Sequence, residues 1–265
     1  MSHVIKLSSP TTREFWEIPV LFEDEHLLAL DKPAQLLTSP DRDDPQRPNL
    51  MKLLHEGIER GASWAKERSL SYLMNAHRLD FETSGVILLA KNKSVLVALA
   101  NLFGSNKPLK KYLALVRDAP PEDQFEVDAK LAPHPVKPGL MQADFRDGKK
   151  SRTKFEVAEK FSRWTLLNCF PLTDRTHQIR VHLKHVRLPV VGDNLYGGKP
   201  LFLSRLKTDY RLKPGAEERP MISRPALHAA ELILPHPMTN ETLVITSPLP
   251  KDLVVALKYL RRYAK

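Results

Sequence analysis

His77-Arg78-Leu79-Asp80-Phe81-Glu82-Thr83-Ser84-Gly85 runs directly into Val86-Ile87-Leu88-Leu89-Ala90. The second half is a short continuous apolar run, which predicts a strand buried on both faces. The first half sets one carboxylate, Asp80, between basic neighbours and a tight polar turn. A reactive group at the mouth of a rigid buried strand is held in place by packing, as catalysis requires. A carboxylate with an ordinary pKa of about 3.9 is ionised at neutral pH and available as nucleophile or base. Taken alone, Asp80 has a plainer reading as a turn cap, bonded to the amide of Glu82 or Thr83.

The chain has 265 residues, enough to bury a sizeable core. Lys and Arg number 41 against 31 acidic residues, a formal charge of +10. That excess suits a polyanionic partner such as nucleic acid, where each neutralised phosphate releases counterions. Cys169 is the one cysteine, which excludes an intramolecular disulfide and a multi-Cys zinc site. It sits in a strand-like run and reads as a small core residue rather than a nucleophile. No apolar run reaches the roughly 20 residues that span a bilayer, and the N-terminus lacks a signal core, so a cytoplasmic protein is expected.

Outward from the opening stretch, residues 1–17 read as a weakly structured lead-in, and 18–265 as a single domain. Val20 to Pro33 predicts two short strands around an acidic turn, followed by a Pro- and Asp-rich loop from Ser39 to Pro48. Asn49 can cap a helix with Leu50, Leu53, Leu54 and Ile58 on one face, ending at Gly61. Ser94 can cap another carrying Leu96, Leu99 and Phe103, with Gly104 suited to its C-terminal end. Strands are expected at Lys110–Val116, Phe155–Val157 and Trp164–Phe170, with turn chemistry at Arg146-Asp147-Gly148-Lys149. Thr176 to Val186 suits a helix bounded by Pro189. Residues 197–225 read mostly as loop, before two late strands near Leu232 and Val244 and a last helix from Pro250. Helices and strands without a regular βαβ rhythm predict an α+β fold with a largely antiparallel sheet.

His177, His182 and His185 invite a metal reading, but their spacing lacks the HExxH pair and no Glu stands between them at the required offset. No metal is expected. Gly197-Gly198-Lys199 lacks the preceding glycine of a phosphate loop. The basic stretch Lys199 to Arg219, with Phe202 and Tyr210, fits either RNA contact or a solvated loop.

The HRLDxxTSG wording resembles the active-site motif of the RluA family of pseudouridine synthases, which isomerise uridine in RNA. Three further segments resemble the family in order: Glu23 to Ala34 with its Lys32-Pro33 turn; Lys111-Tyr112-Leu113-Ala114-Leu115-Val116; and Arg175 to Leu183 continuing through Val191 to Gly197. A weaker echo lies at Leu227-His228-Ala229. The resemblance implies a pseudouridine synthase fold, a mixed sheet with flanking helices and a central RNA-binding cleft, and no cofactor. It implies that Asp80 is the catalytic carboxylate and that Arg78 fills the space left by the flipped uridine. Tyr112 would stack on the uracil, and Arg175 would pair with Asp80. His77, Lys110, Lys111, His177 and Arg180 would contact the RNA, a tRNA or rRNA, with the protein acting as a monomer. No S4-like RNA-binding module is expected ahead of the first matching block.

Two departures from the pattern stand out. Ala34-Gln35 occupies the place where Gly commonly follows the Lys-Pro turn, and Asp174 stands where Gly usually precedes the arginine. Asp174 either competes for Arg175 or caps the helix that follows. The rival functional readings are a non-catalytic RNA-binding or chaperone module, and a glycoside hydrolase with Glu82 as its second carboxylate.

Overall fold

The computed structural model describes residues 3–41, 44, 46–213 and 215–265. Arg42, Asp43 and Pro45 of the expected loop, Met1 and Ser2 of the expected lead-in, and Pro214 of the basic stretch lie outside the described residues. In chain order the elements are β1 (Val4–Ser9), β2 (Glu14–Glu23), β3 (Leu27–Lys32), α1 (Leu50–Glu59), α2 (Ser63–Lys66), β4 (Met74–Asn75), β5 (Ser84–Ala90) and α3 (Lys93–Gly104). They continue with β6 (Leu109–Arg117), β7 (Gln124–Asp128), β8 (Leu131–Pro133), β9 (Met141–Ala143), β10 (Arg152–Lys160), β11 (Trp164–Pro171) and α4 (Gln178–His185). β12 (Leu227–Pro235), β13 (Thr242–Thr246) and α5 (Lys251–Tyr263) complete the chain. This is the α+β class expected.

The chain forms two compact units. Residues 1–110 and 229–248 form the first, and 111–228 with 249–265 the second. The physical reason is that each unit has a core of its own.

In the first unit the hydrogen-bonded order runs β1-β2-β3-β5, with β12 beyond β5, β4 also on β5 and β13 on β12. Alternation of side chains explains why β5 is wholly apolar. Ile87 and Leu89 enter a core with Leu50, Leu53, Leu54 and Trp64 from α1 and α2. Val86, Leu88 and Ala90 enter another with Val95 and Leu99 of α3 and Leu232, Leu234 and Ile245. A strand covered on both faces needs apolar side chains at every position.

The expected lead-in is instead a hairpin. β1 pairs antiparallel with β2, Ile5 opposite Ile18 and Leu7 opposite Trp16. Burial alternates along it, with Ile5 and Leu7 turned into the core, so the short period-2 pattern outweighs the polar residues around it. Asn49 caps α1 as expected, accepting from the Lys52 amide at 2.9 Å, and Gly61 follows with φ +64°. α3 starts two residues earlier than expected. Asn92 rather than Ser94 is the N-cap, accepting from the Val95 amide, while Ser94 donates to the Asn92 carboxamide. Gly104 is the last helical residue and not a left-handed cap; that conformation falls on Asn106, φ 53°.

In the second unit the order is β6-β11-β10-β7, with β8 and β9 as a small separate pair. Its core takes Leu115, Leu167 and Phe155 from the strands, Ile179 and Leu183 from α4, and Leu253, Leu257 and Leu260 from α5. Cys169 is fully buried there, and desolvation pushes its thiol far above the usual range, which suits a core residue and not a nucleophile. Between Gly197 and Pro225 two short segments depart from loop, a 3-10 turn at Leu203–Arg205 and a bridge from Leu201 to Ile222.

Candidate active site

Asp80 lies in the first unit, half-buried, on a turn closed by the Thr83 amide donating to its carbonyl at 3.1 Å. Both neighbours of Asp80 are pinned. On one side the buried Thr38 hydroxyl donates to the Leu79 carbonyl at 3.0 Å and accepts from the Leu79 amide at 3.1 Å. On the other, the Gln35 amide donates to the Phe81 carbonyl at 2.8 Å. A backbone anchored on either side of one residue carries that residue's side chain in a narrow range of positions.

The loop that supplies these anchors is itself held by Lys32. This lysine is fully buried, and its ammonium donates to the carbonyls of Pro33 at 2.8 Å and Leu36 at 2.6 Å. The Lys-Pro turn thus serves as a structural clip behind the Asp80 turn. Gln35, in the Ala34-Gln35 pair after the Lys-Pro turn, adopts φ 62°. That left-handed conformation favours Gly, and this chain meets it with a strained Gln.

After the turn, Gly85, second residue of β5, takes φ +117°, and a Cβ there would lie 2.1 Å from the Ala229 carbonyl oxygen. No other residue fits without moving β12. His77, expected against RNA, is bonded into the protein: its Nε2 accepts from the Leu88 amide at 3.1 Å and its ring stacks on Phe103 with centroids 5.1 Å apart. Lys110 is largely buried, at 9% exposure, while Arg78 is exposed.

Tyr112 and Arg175 belong to the second unit. Tyr112 sits half-buried on β6 opposite Cys169 of β11, and Lys111 is half-buried beside it. Arg175 is exposed on the loop after β11, its Nε donating to the Lys150 carbonyl at 3.2 Å. The helix expected from Thr176 begins at Gln178, because His177 takes φ 55° and breaks the run. The N-cap position of α4 thus falls on His177.

The loop is organised by Gln178, which sequence reasoning passed over. Its buried side-chain oxygen accepts from the Thr173 hydroxyl and the Arg175 amide, at 2.8 and 3.1 Å. Its nitrogen donates to the Arg152 carbonyl and the Thr153 hydroxyl, at 3.0 and 2.9 Å. Thr153 also reaches His182 Nδ1 at 2.9 Å, and His182 Nε2 faces the Ser151 hydroxyl at 2.9 Å. Burial, first among the causes, holds the His182 pKa below its ordinary value; the charge of His185 adds to this. The polar network is thus built around a neutral imidazole.

Arg180, expected to touch RNA, is 2% exposed and makes a bidentate pair with buried Asp193 at 2.7 and 2.8 Å. Its guanidinium also lies over the Tyr196 ring. An arginine so enclosed is structural. His177 Nδ1 meets the Tyr196 hydroxyl at 2.7 Å, and that hydroxyl accepts from the Met141 amide. The Tyr196 hydroxyl thus ties His177 to β9. Among the described residues no group of His, Cys, Asp or Glu could hold a metal ion.

Residues 26–185 match the family described as RNA pseudouridylate synthase. The chain is 36% identical over 247 residues to ribosomal large subunit pseudouridine synthase D of Nitrosomonas europaea, covering 92% of this chain and 65% of that protein. It is 36% identical over 245 residues to the same-named protein of Xanthomonas campestris pv. campestris, with 91% and 69% coverage. Ribosomal large subunit pseudouridine synthase C of Escherichia coli is 33% identical over 248 residues, with 91% and 70% coverage. The chain thus spans about two thirds of the length of these relatives. Among solved structures, Human RNA Pseudouridylate Synthase Domain Containing 4 shares the fold with a TM-score of 0.68 at 24% identity, over 91% of this chain and 92% of that one. Human RNA Pseudouridylate Synthase Domain Containing 1 does so with a TM-score of 0.62 at 21% identity, over 94% and 96%. No helix among the described residues is long and apolar enough to cross a membrane. On the match over residues 26–185 and these identities, the chain belongs to the RNA pseudouridylate synthase family, isomerases that act on RNA.

Proposed function

We propose that this chain converts specific uridines of ribosomal RNA to pseudouridine, with Asp80 as its catalytic carboxylate. The observation that carries the reading is the Asp80 turn, anchored by Thr38 and Gln35 inside the segment that matches the family. The relatives' names favour large-subunit ribosomal RNA over transfer RNA, and with it a cytoplasmic place of action. In this reading the protein works as a monomer without a cofactor.

The rearrangement is redox-neutral. The bond from the ribose to uracil N1 breaks, the ring turns, and C5 bonds to the ribose in its place. C5 then loses its proton and N1 gains one. Asp80 either attacks covalently or removes a sugar proton. Extruding the uridine costs a few kcal/mol of stacking, which the Arg78 guanidinium offsets by filling the gap. Tyr112 stacks on the extruded ring, a contact of about 1–3 kcal/mol.

The test is to treat ribosomal RNA from cells lacking the protein with the purified chain and map pseudouridine-specific carbodiimide adducts. New adducts with the natural chain and none with Asp80→Asn are expected. RNA binding without adducts would leave the non-catalytic RNA-binding module as the better account, and turnover by Asp80→Asn would remove Asp80 from the chemistry.

A further inference from the structure

A pocket of about 500 Å³ opens within the second unit, far along the strands from Tyr112. Arg117 is the last residue of β6, five positions after Tyr112, so roughly 17 Å separates them along the strand. Trp164 begins β11 opposite Arg117, while the Arg175 loop follows the other end of that strand at Pro171. The pocket is therefore not part of the candidate site around Tyr112 and Arg175.

Its walls combine two chemistries. Arg117, Arg163, Lys199 and Arg205 bring four cations to one opening, all exposed, and the lining includes no Asp or Glu. The same lining holds the half-buried rings of Trp164, Phe202 and Tyr263, the last stacked on Tyr259 with centroids 6.1 Å apart. The frame is firm. The Asp118 amide donates to the Arg163 carbonyl at 2.9 Å, and the Ser162 amide to the Ala264 carbonyl at 2.8 Å, tying the turn before β11 to the end of α5. Leu201 bridges to Ile222, which fixes the segment carrying Lys199 and Phe202.

Cations alone describe any basic surface, and rings alone any shallow apolar hollow. Cations and partly exposed rings in one lining, with no acid among them, match a phosphate backbone whose bases need a face to stack on. We propose that this pocket is a second RNA-binding site, which takes an unpaired base and its flanking phosphates from a part of the substrate remote from the reacting uridine. The proposal rests on the reading that the chain acts on RNA. It gives the front half of the basic stretch, Lys199 to Arg205, a defined task. RNA presents a flat ring beside every phosphate, which an acidic peptide does not, so RNA is the occupant the lining favours.

The test measures binding of a short single-stranded oligouridylate to the full chain by fluorescence anisotropy across a salt series. Arg163→Gln/Arg205→Gln should weaken affinity about tenfold and lower the slope of log affinity against log salt by about 1.4, near 0.7 for each lost phosphate contact. Phe202→Ala should weaken binding at least fivefold with the slope unchanged, because stacking is not electrostatic. Thermal unfolding of each variant checks that the fold is retained. Arg13→Gln/Lys251→Gln removes the same charge elsewhere on the exposed surface. Equal weakening by that control, or competition by polyglutamate as strong as by oligouridylate, would overturn the site. So would unchanged affinity in the pocket variants. If the natural chain bound no RNA of any kind, the functional reading would fall as well, which separates the two failures.

Discussion

Thr38 grips Leu79 with one hydroxyl, donating to its carbonyl and accepting from its amide across 41 positions of sequence. Both Leu79 backbone groups are buried beside the candidate carboxylate. Thr38→Val keeps the shape and removes both bonds. The expected cost is about 2–3 kcal/mol, since buried backbone groups left unsatisfied pay their desolvation in full. Turnover should fall further than urea stability predicts, because Asp80 loses an anchor. Thr38→Ser should restore both properties to near the natural level. A Val variant with reduced stability but unaltered kcat would show that the grip serves folding alone.

Gln35 offers a prediction of the opposite sign. A non-Gly residue in the left-handed region carries about 1–2 kcal/mol of strain, against 0.5–1 kcal/mol of extra chain entropy lost by Gly on folding. Gln35→Gly should therefore leave stability equal or raise it by up to about 1 kcal/mol, read as a shift in the urea midpoint. Clear destabilisation would mean that the Gln35 side chain contributes contacts that outweigh its backbone strain.

His182 makes stability depend on pH. Its native pKa lies below the unfolded value near 6.5, so below that pH the unfolded chain binds more protons than the native one. Stability is complete above about pH 6.5 and declines as the pH falls towards the depressed native pKa. Urea unfolding followed from about pH 8 to 5 should show this loss. His182→Asn should start less stable and show a shallower decline. An identical slope in the variant would assign the pH dependence to other groups.

Arg180 and Asp193 form a pair in which both partners are about 2% exposed or less. Arg180→Met leaves Asp193 charged, buried and alone, at an expected cost of about 3–5 kcal/mol. Adding Asp193→Leu should recover much of it, because the pair itself pays heavily for desolvation. Equilibrium unfolding of the single and double variants gives the coupling. A single variant within 1 kcal/mol of the natural chain would contradict the enclosure described here.

What could be read from sequence follows the range of the interaction. Asn49 and Gly61 announce α1 because a cap acts within one turn, and β5 announces itself because both of its faces are covered. Asn92-Lys93-Ser94 holds two side chains able to cap, and local chemistry does not choose between them. The β1–β2 hairpin was hidden because a short alternating strand beside polar residues resembles a loose end until its partner is known. The motif residues around Asp80 were legible through resemblance. Their supports, Thr38 and Gln178, were not, since each holds backbone more than 25 residues away. Arg180 misled for a related reason: its partner Asp193 lies beyond the helix, and only the fold turns an apparent RNA contact inward.

The path of the chain through the two units has a consequence for synthesis. One core in each unit takes a wall from far along the chain: Leu232, Leu234 and Ile245 in the first, Leu253, Leu257 and Leu260 in the second. A ribosome that has delivered residues 1–228 has therefore released neither unit complete, and apolar faces of both stay open until the last strands and helix emerge. Domains often fold one after another during translation. This chain is wired so that both halves finish together, and a nascent chain stalled before β12 would present two unfinished cores to chaperones at once.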